Sequence, residues 1–185
     1  RKRMDEWDAY SERLGMTAIQ HSAREYAANL LVYIGMGEYD YTSYTWTPTS
    51  SDVYAFDAEV FDIGNMYALF LQGVASIVPG FDCQDVTETL EEYKVHPALE
   101  ELLAAGKLAY EGIKTVSFTL NGHGYQKELE YYGDWFNEEA IAWINEVLEQ
   151  EGFDGRLYEF YDSWQSVILI YGSEEKADQL GQLLN

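Results

Sequence analysis

The residues able to do chemistry in this 185-residue chain are carboxylates and aromatics. There are 33 Asp and Glu against 11 Lys and Arg, and 16% of the residues are Phe, Trp or Tyr. Among the acids, Asp57 and Glu59 alternate along one strand-like face and Asp62 follows close by. Such a group could ligate a metal or flank a substrate, as paired carboxylates do in general acid–base sites. Alternating acids also mark the solvent face of any amphipathic strand. The aromatics gather in three segments. Tyr39, Tyr41, Tyr44 and Trp46 lie in a stretch with no core periodicity, Tyr131, Tyr132, Trp135 and Phe136 precede a helix, and Tyr158, Phe160, Tyr161 and Trp164 form the third group. Tyr and Trp join an apolar body to a polar tip, which suits them to binding surfaces and to stacking on sugars. The expected ligand-binding residues are therefore Tyr39, Tyr41, Tyr44, Trp46, Trp135 and Trp164.

Other chemistries leave no pattern. The three histidines, His21, His96 and His123, include no pair spaced i, i+4 for a helical metal site. Cys83 is the only cysteine, which excludes an intramolecular disulfide and a thiolate cluster, and its acidic neighbours Asp82 and Asp85 blunt thiolate reactivity. No Gly-x-Ser-x-Gly elbow is present. Neither Asp52–Ile63 nor Asp154–Gln165 satisfies an EF-hand loop. Gly35-Met36-Gly37 and Gly122-His123-Gly124 lack the remaining glycines of a dinucleotide fingerprint, and no phosphate-loop lysine motif follows. No cofactor is expected.

The net charge is −22 and lies unevenly. Residues 1–36 balance five basic residues against five acidic ones, so the whole excess belongs to residues 37–185. A body this acidic repels nucleic acid and anionic lipid, and its charged partners must be cationic. No apolar run reaches the roughly 18–20 residues needed to cross a bilayer. The chain starts at Arg1, which sets the expectation of a trimmed, extracytoplasmic form.

These residues must be positioned by a folded domain, since 47% hydrophobic composition supplies a sizeable core. We expect one domain, 1–185, with a helical extension over 1–36 and an acidic α+β body over 37–185. Asp5 to Leu14 reads as a short helix. A second follows from Thr17, with Ile19, Ala23, Tyr26, Ala27, Leu30 and Ile34 facing inward. Residues 38–51 read as a loop or an edge strand stopped by Pro48. Val53 to Asp62 alternates as a half-buried strand, and Asn65 is placed to cap a helix striped with Met66, Leu69, Phe70, Val74 and Ile77. Residues 81–96 are acidic and weakly patterned. Pro97 opens a helix to about Ala105, and Lys107 to Leu120 reads as a strand. Asn121-Gly122 turns into a return strand over Tyr125 to Tyr132. Asn137 caps a helix carrying Ile141, Ile144, Val147 and Leu148. Leu157–Tyr161 and Ser166–Tyr171 pair across Asp162-Ser163-Trp164, and Ser173 caps the last helix. The fold class expected is α+β: a mainly antiparallel sheet of about five strands, helices on one face, two ββα-like units in the C-terminal half and two N-terminal helices.

For function, three classes follow from these features. The first is a non-enzymatic module that binds a protein with a basic surface, as inhibitor- and immunity-like proteins do. The second is an extracytoplasmic carbohydrate- or ligand-binding module. The third is a hydrolase built on two carboxylates. We rank them in that order.

Overall fold

The computed structural model describes residues 18–92 and 112–184. Its elements run α1 (Ala18–Gly35), β1 (Glu38–Asp40), β2 (Thr45–Thr47), β3 (Val53–Asp57), a 3-10 turn (Ile63–Asn65), α2 (Met66–Ile77), β4 (Gln84–Glu92), β5 (Gly112–Leu120), β6 (His123–Tyr131), α3 (Glu139–Gln150), β7 (Arg156–Tyr161), β8 (Ser166–Gly172) and α4 (Glu174–Leu184). The expected helices at 5–14 and 97–105 lie outside the described residues.

The fold is α+β, but the strands form three antiparallel sheets rather than one of five. They are the hairpin β1-β2, the sheet β3-β8-β7 and the sheet β4-β5-β6. Helices cover both faces of β3-β8-β7, not one. The alternation along β8 shows why. Val167 and Leu169 enter the main core with α2 and α3, while Ile168 and Ile170 enter a second cluster with Ala28 of α1 and Ala177 of α4. A strand buried on both faces needs an apolar layer on each side. The β4-β5-β6 sheet then closes the far side of α2 and α3 through Val116, Phe118, Leu120 and Leu129. The two ββα orders are present as β5-β6-α3 and β7-β8-α4, with their hairpins in different sheets.

Local signals explain several elements. Asn121 and Gly122 both take positive φ, 52° and 83°, the geometry of a tight primed turn between β5 and β6. Asn137 Oδ1 accepts the Glu139 N–H at 3.0 Å, as a cap should. Asp162 Oδ1 accepts the N–H groups of Trp164 and Ser166, each at 2.9 Å, and so builds the β7–β8 turn.

Two expectations are corrected. Tyr26, Leu30 and Ile34 on α1 are exposed, and the buried side carries Ala28, with Leu31 and Val32 packed behind it. Small residues select that face: a Cβ on Gly35 would stand 2.8 Å from the Ala55 nitrogen, so only glycine lets α1 lie this close to β3. Within the weakly patterned stretch 81–96, Gln84–Glu92 form a strand, β4. Asn65 makes no cap bond to α2; its amide donates instead to Asp62 Oδ2 at 3.0 Å.

The cap of α2 comes from β4. Glu88 Oε2 accepts the N–H groups of Tyr67 and Ala68 at 2.9 and 3.2 Å. Its other oxygen pairs with Lys114 of β5, whose ammonium also donates to the Ile63 carbonyl. The Lys114 nitrogen lies 5.7 Å from the Tyr67 ring centre and 5.9 Å from that of Tyr131. A carboxylate at the positive end of a helix, neutralised by a buried lysine, ties the β4-β5-β6 sheet to α2.

Candidate functional site: two aromatic pockets beside one ridge

The segment 38–47 is a small hairpin. Asp40 organises its turn by accepting the Thr42 N–H and the Ser43 hydroxyl, both at 2.8 Å. The Thr42 N–H is the largest reason the Asp40 carboxyl lies below the ordinary carboxylate range. Gly37, at φ 68°, leads in from α1, and a Cβ there would meet the Trp46 ring at 2.6 Å. The hairpin is thereby laid over β3 and the start of α2.

Between them lies a pocket of about 420 Å3. Tyr39 and Tyr41 of the hairpin form one side with Phe61, their rings 4.8–5.9 Å apart and mutually tilted or edge-on. Trp46, the cross-strand partner of Tyr39, adds its ring edge-on to Tyr54 at 5.6 Å, with its indole N–H donated to the Met36 carbonyl at 2.8 Å. The floor continues through Tyr54, Phe56, Phe136 and Phe70, each ring within 5.9 Å of the next. Asp57 and Glu59 complete the lining at its exposed lip. Burial holds the Tyr39 hydroxyl above its ordinary pKa, with Asp62, Tyr44 and Tyr41 adding to the rise. Tyr54 is 5% exposed, burial raises its pKa, and its hydroxyl has no hydrogen-bond partner among the described residues.

Past β3 the chain leaves β8 and pairs with residues 134–136. Val60 donates to the Asp134 carbonyl at 2.7 Å, and Phe136 donates to the Ala58 carbonyl at 2.8 Å. Residues 58–60 therefore form a ridge. Beyond it is a second, more open groove of about 350 Å3, lined by Tyr132, Trp135, Glu138, Tyr161, Trp164 and Gln165 among others. Phe136 lines both. The Gln165 amide reaches back across the ridge to Asp57 Oδ1 at 2.8 Å and Glu59 Oε2 at 3.1 Å.

The sequence candidates divide between these two sites. Tyr39, Tyr41 and Trp46 line the first, with Asp57 and Glu59; Trp135 and Trp164 line the second. Tyr44 lines neither: it sits at φ 54° in the hairpin turn, 78% exposed. Asp62 is turned to Asn65 rather than toward Asp57 and Glu59. Among the described residues no group of three or more His, Cys, Asp or Glu is placed to hold a metal. Phe61 was not singled out from the sequence, although it is 62% exposed and closes the first pocket. An apolar ring beyond the end of an alternating strand is its only sequence signal.

The isolated candidates are placed as follows. Cys83 is half-buried, and burial first, then Asp82, pushes its thiol up to about 12. His123 opens β6 and lies 2.7 Å from Glu151 Oε1 at the end of α3. No family model, no curated protein and no solved structure matches this chain. No described helix is long and apolar enough to cross a membrane.

Proposed function

We propose that this chain is a non-enzymatic binding module that recognises a protein with a basic surface, and that the pocket under the 38–47 hairpin receives an apolar or aromatic group of that partner. The observation that carries this is the composition of the pocket: a wall of aromatic rings with two exposed carboxylates and, among the described residues, no Lys or Arg in its lining. Apolar rings supply the contact area, and the carboxylates select a positively charged neighbourhood. A hydrolase would need one of its two carboxylates shielded from water and kept protonated. Asp57 and Glu59 are both exposed and share one Gln165 amide, which does not favour that reading.

The test is a capture experiment at low salt with two baits, the wild type and a Tyr41→Ala/Phe61→Ala variant. The expected result is a basic protein held by the wild type only and released by about 0.5 M salt, where surface charge is screened within a few ångströms. Equal capture by both baits, or none by either, rejects the proposal. A second reading, a small-ligand module, is favoured by the same aromatic lining, whose ring faces suit a sugar or a small aromatic compound. Thermal-shift screening with neutral sugars and small aromatic compounds separates the two.

A further inference from the structure

The groove beyond the ridge differs from the first pocket in what it leaves unsatisfied. Trp164 is 81% exposed and Trp135 46% exposed, and neither indole N–H has a hydrogen-bond partner among the described residues. The main chain of each is held by hydrogen bonds. Trp164 rides on the Asp162 turn, and Trp135 is fixed by its bridge to Glu59 and by its N–H to the Tyr132 carbonyl. The carboxylates are fixed too. The Tyr161 hydroxyl donates to Glu138 Oε2 at 3.1 Å, and Tyr132 donates to Glu130. Glu159 adjoins Tyr161 on β7, and its carboxyl is held above the ordinary range first by burial and then by Glu138. No described Lys, Arg or His pairs with Glu138 or Glu159.

Two exposed indoles beside Glu138, whose charge is reinforced by the neighbouring Glu159 outside the groove, are complementary to a flat cation. A guanidinium can stack on an indole face and donate in-plane to a carboxylate at the same time, which an ammonium cannot. We infer that this groove is an arginine subsite: it takes an arginine side chain of the same basic partner, stacked against Trp164 or Trp135 and paired with Glu138. The inference rests on the binding-module reading. It adds a second contact, since the ridge at residues 58–60 separates the two pockets and one extended basic segment could place a side chain in each.

The test uses the whole chain at 0.15 M NaCl, with N-acetyl-arginine methylamide as the probe and N-acetyl-citrulline methylamide as its neutral counterpart. The readout is the tryptophan indole N–H signals in a nitrogen–proton correlation spectrum. The arginine probe is expected to shift Trp135 and Trp164 saturably, to leave the Trp46 signal in place, and to bind about tenfold more weakly to Trp164→Ala and to Glu138→Gln, the size of one well-made cation–π or charged contact. Equal shifts with citrulline, or arginine binding unchanged in both variants, overturns the inference. Glu138 and Trp164 are exposed, so neither change threatens the fold. A Phe61→Ala chain keeps the arginine response if the subsite is real, so failure of the first pocket and failure of this groove are read separately.

Discussion

Replacing Glu88 by glutamine removes one charge from a place where no other described residue neutralises its partner. The side chains of Lys114 and Glu88 are only 2% and 5% exposed, so water cannot take over the role of either. Breaking a buried pair from one side costs about 3–5 kcal/mol. Lys114 would keep the Ile63 carbonyl and the faces of Tyr67 and Tyr131. Cation–π contacts of this kind offset part of the loss, which places the expected cost at about 3 kcal/mol. Glutamine still offers an oxygen to the Tyr67 and Ala68 N–H groups; alanine does not, and Glu88→Ala should lose about 1 kcal/mol more as the cap of α2 disappears. For a chain of this size, about 3 kcal/mol lowers Tm by roughly 6–12 °C. Lys114→Met should cost less than Glu88→Gln, because the stranded carboxylate keeps two amide donors and the positive end of α2. The double variant Glu88→Gln/Lys114→Met leaves no buried charge and should be more stable than the sum of the single losses by at least about 2 kcal/mol. Urea unfolding followed by far-ultraviolet circular dichroism measures all four chains. A loss below about 1 kcal/mol for Glu88→Gln, or additivity within roughly 0.5 kcal/mol, refutes the reasoning.

Further predictions follow from the same geometry. Glu151 accepts from Tyr125, Asn121 and His123, in that order of effect, and its pKa falls to about 2 from an ordinary 4.5. A depressed carboxylate stabilises the fold above the unfolded value and loses that stability as pH falls from 4.5 toward 2, so Glu151→Gln should be less stable than wild type at pH 7 and indistinguishable from it at the acid end of the titration. Tyr125 is raised to about 12 by the same bond, so its contribution is present below pH 10 and disappears as pH rises through 12, readable as a late phenolate transition at 295 nm that Glu151→Gln brings earlier. Gly73→Ala would set a Cβ 2.1 Å from the Tyr54 ring, and the forced shift should cost about 1–3 kcal/mol in thermal unfolding while disturbing the first pocket. Phe61→Ala, at an exposed position, should change stability by no more than about 0.5 kcal/mol yet abolish whatever binding the first pocket supports, a split measured by unfolding and titration on one sample.

Elements fixed by neighbouring residues were legible in the sequence. The Asn121-Gly122 turn, the Asn137 cap and the apolar stripe of α3 each depend on a few adjacent positions. What depends on distant chain was not. The β4 strand is hard to read because Glu88 joins Val86 on its core-facing side, and that burial makes sense only once Lys114 and the end of α2 are in place. For the same reason Asn65 looked like the natural cap of α2. The buried face of α1 is not the bulkier stripe that periodicity selects, because close approach to β3 favours Ala28 and Gly35. At the site, Tyr39–Trp46 stood out for lacking core periodicity. Its closing partners Phe61 and Phe136 lie elsewhere in the chain, and only the fold brings them against the hairpin.

The acidity acquires meaning from where it is left uncompensated. A chain with 11 Lys and Arg has few cations to distribute, and one of them, Lys114, is committed to the core. Among the described residues the close acid–base contacts are Lys114–Glu88 and His123–Glu151, so no described Lys or Arg neutralises the acids around the two pockets. A neutral sugar stacking on Trp164 would gain ring contact and nothing from that field. A cationic side chain would gain both, and would relieve repulsion between Glu138 and Glu159. The ridge at 58–60 makes this a matter of geometry as well as charge: it carries Glu59 toward the first pocket, anchors Trp135 in the second, and is spanned by the Gln165 amide. On the proposed reading, the two aromatic recesses on either side of this ridge would receive a single basic ligand making two contacts.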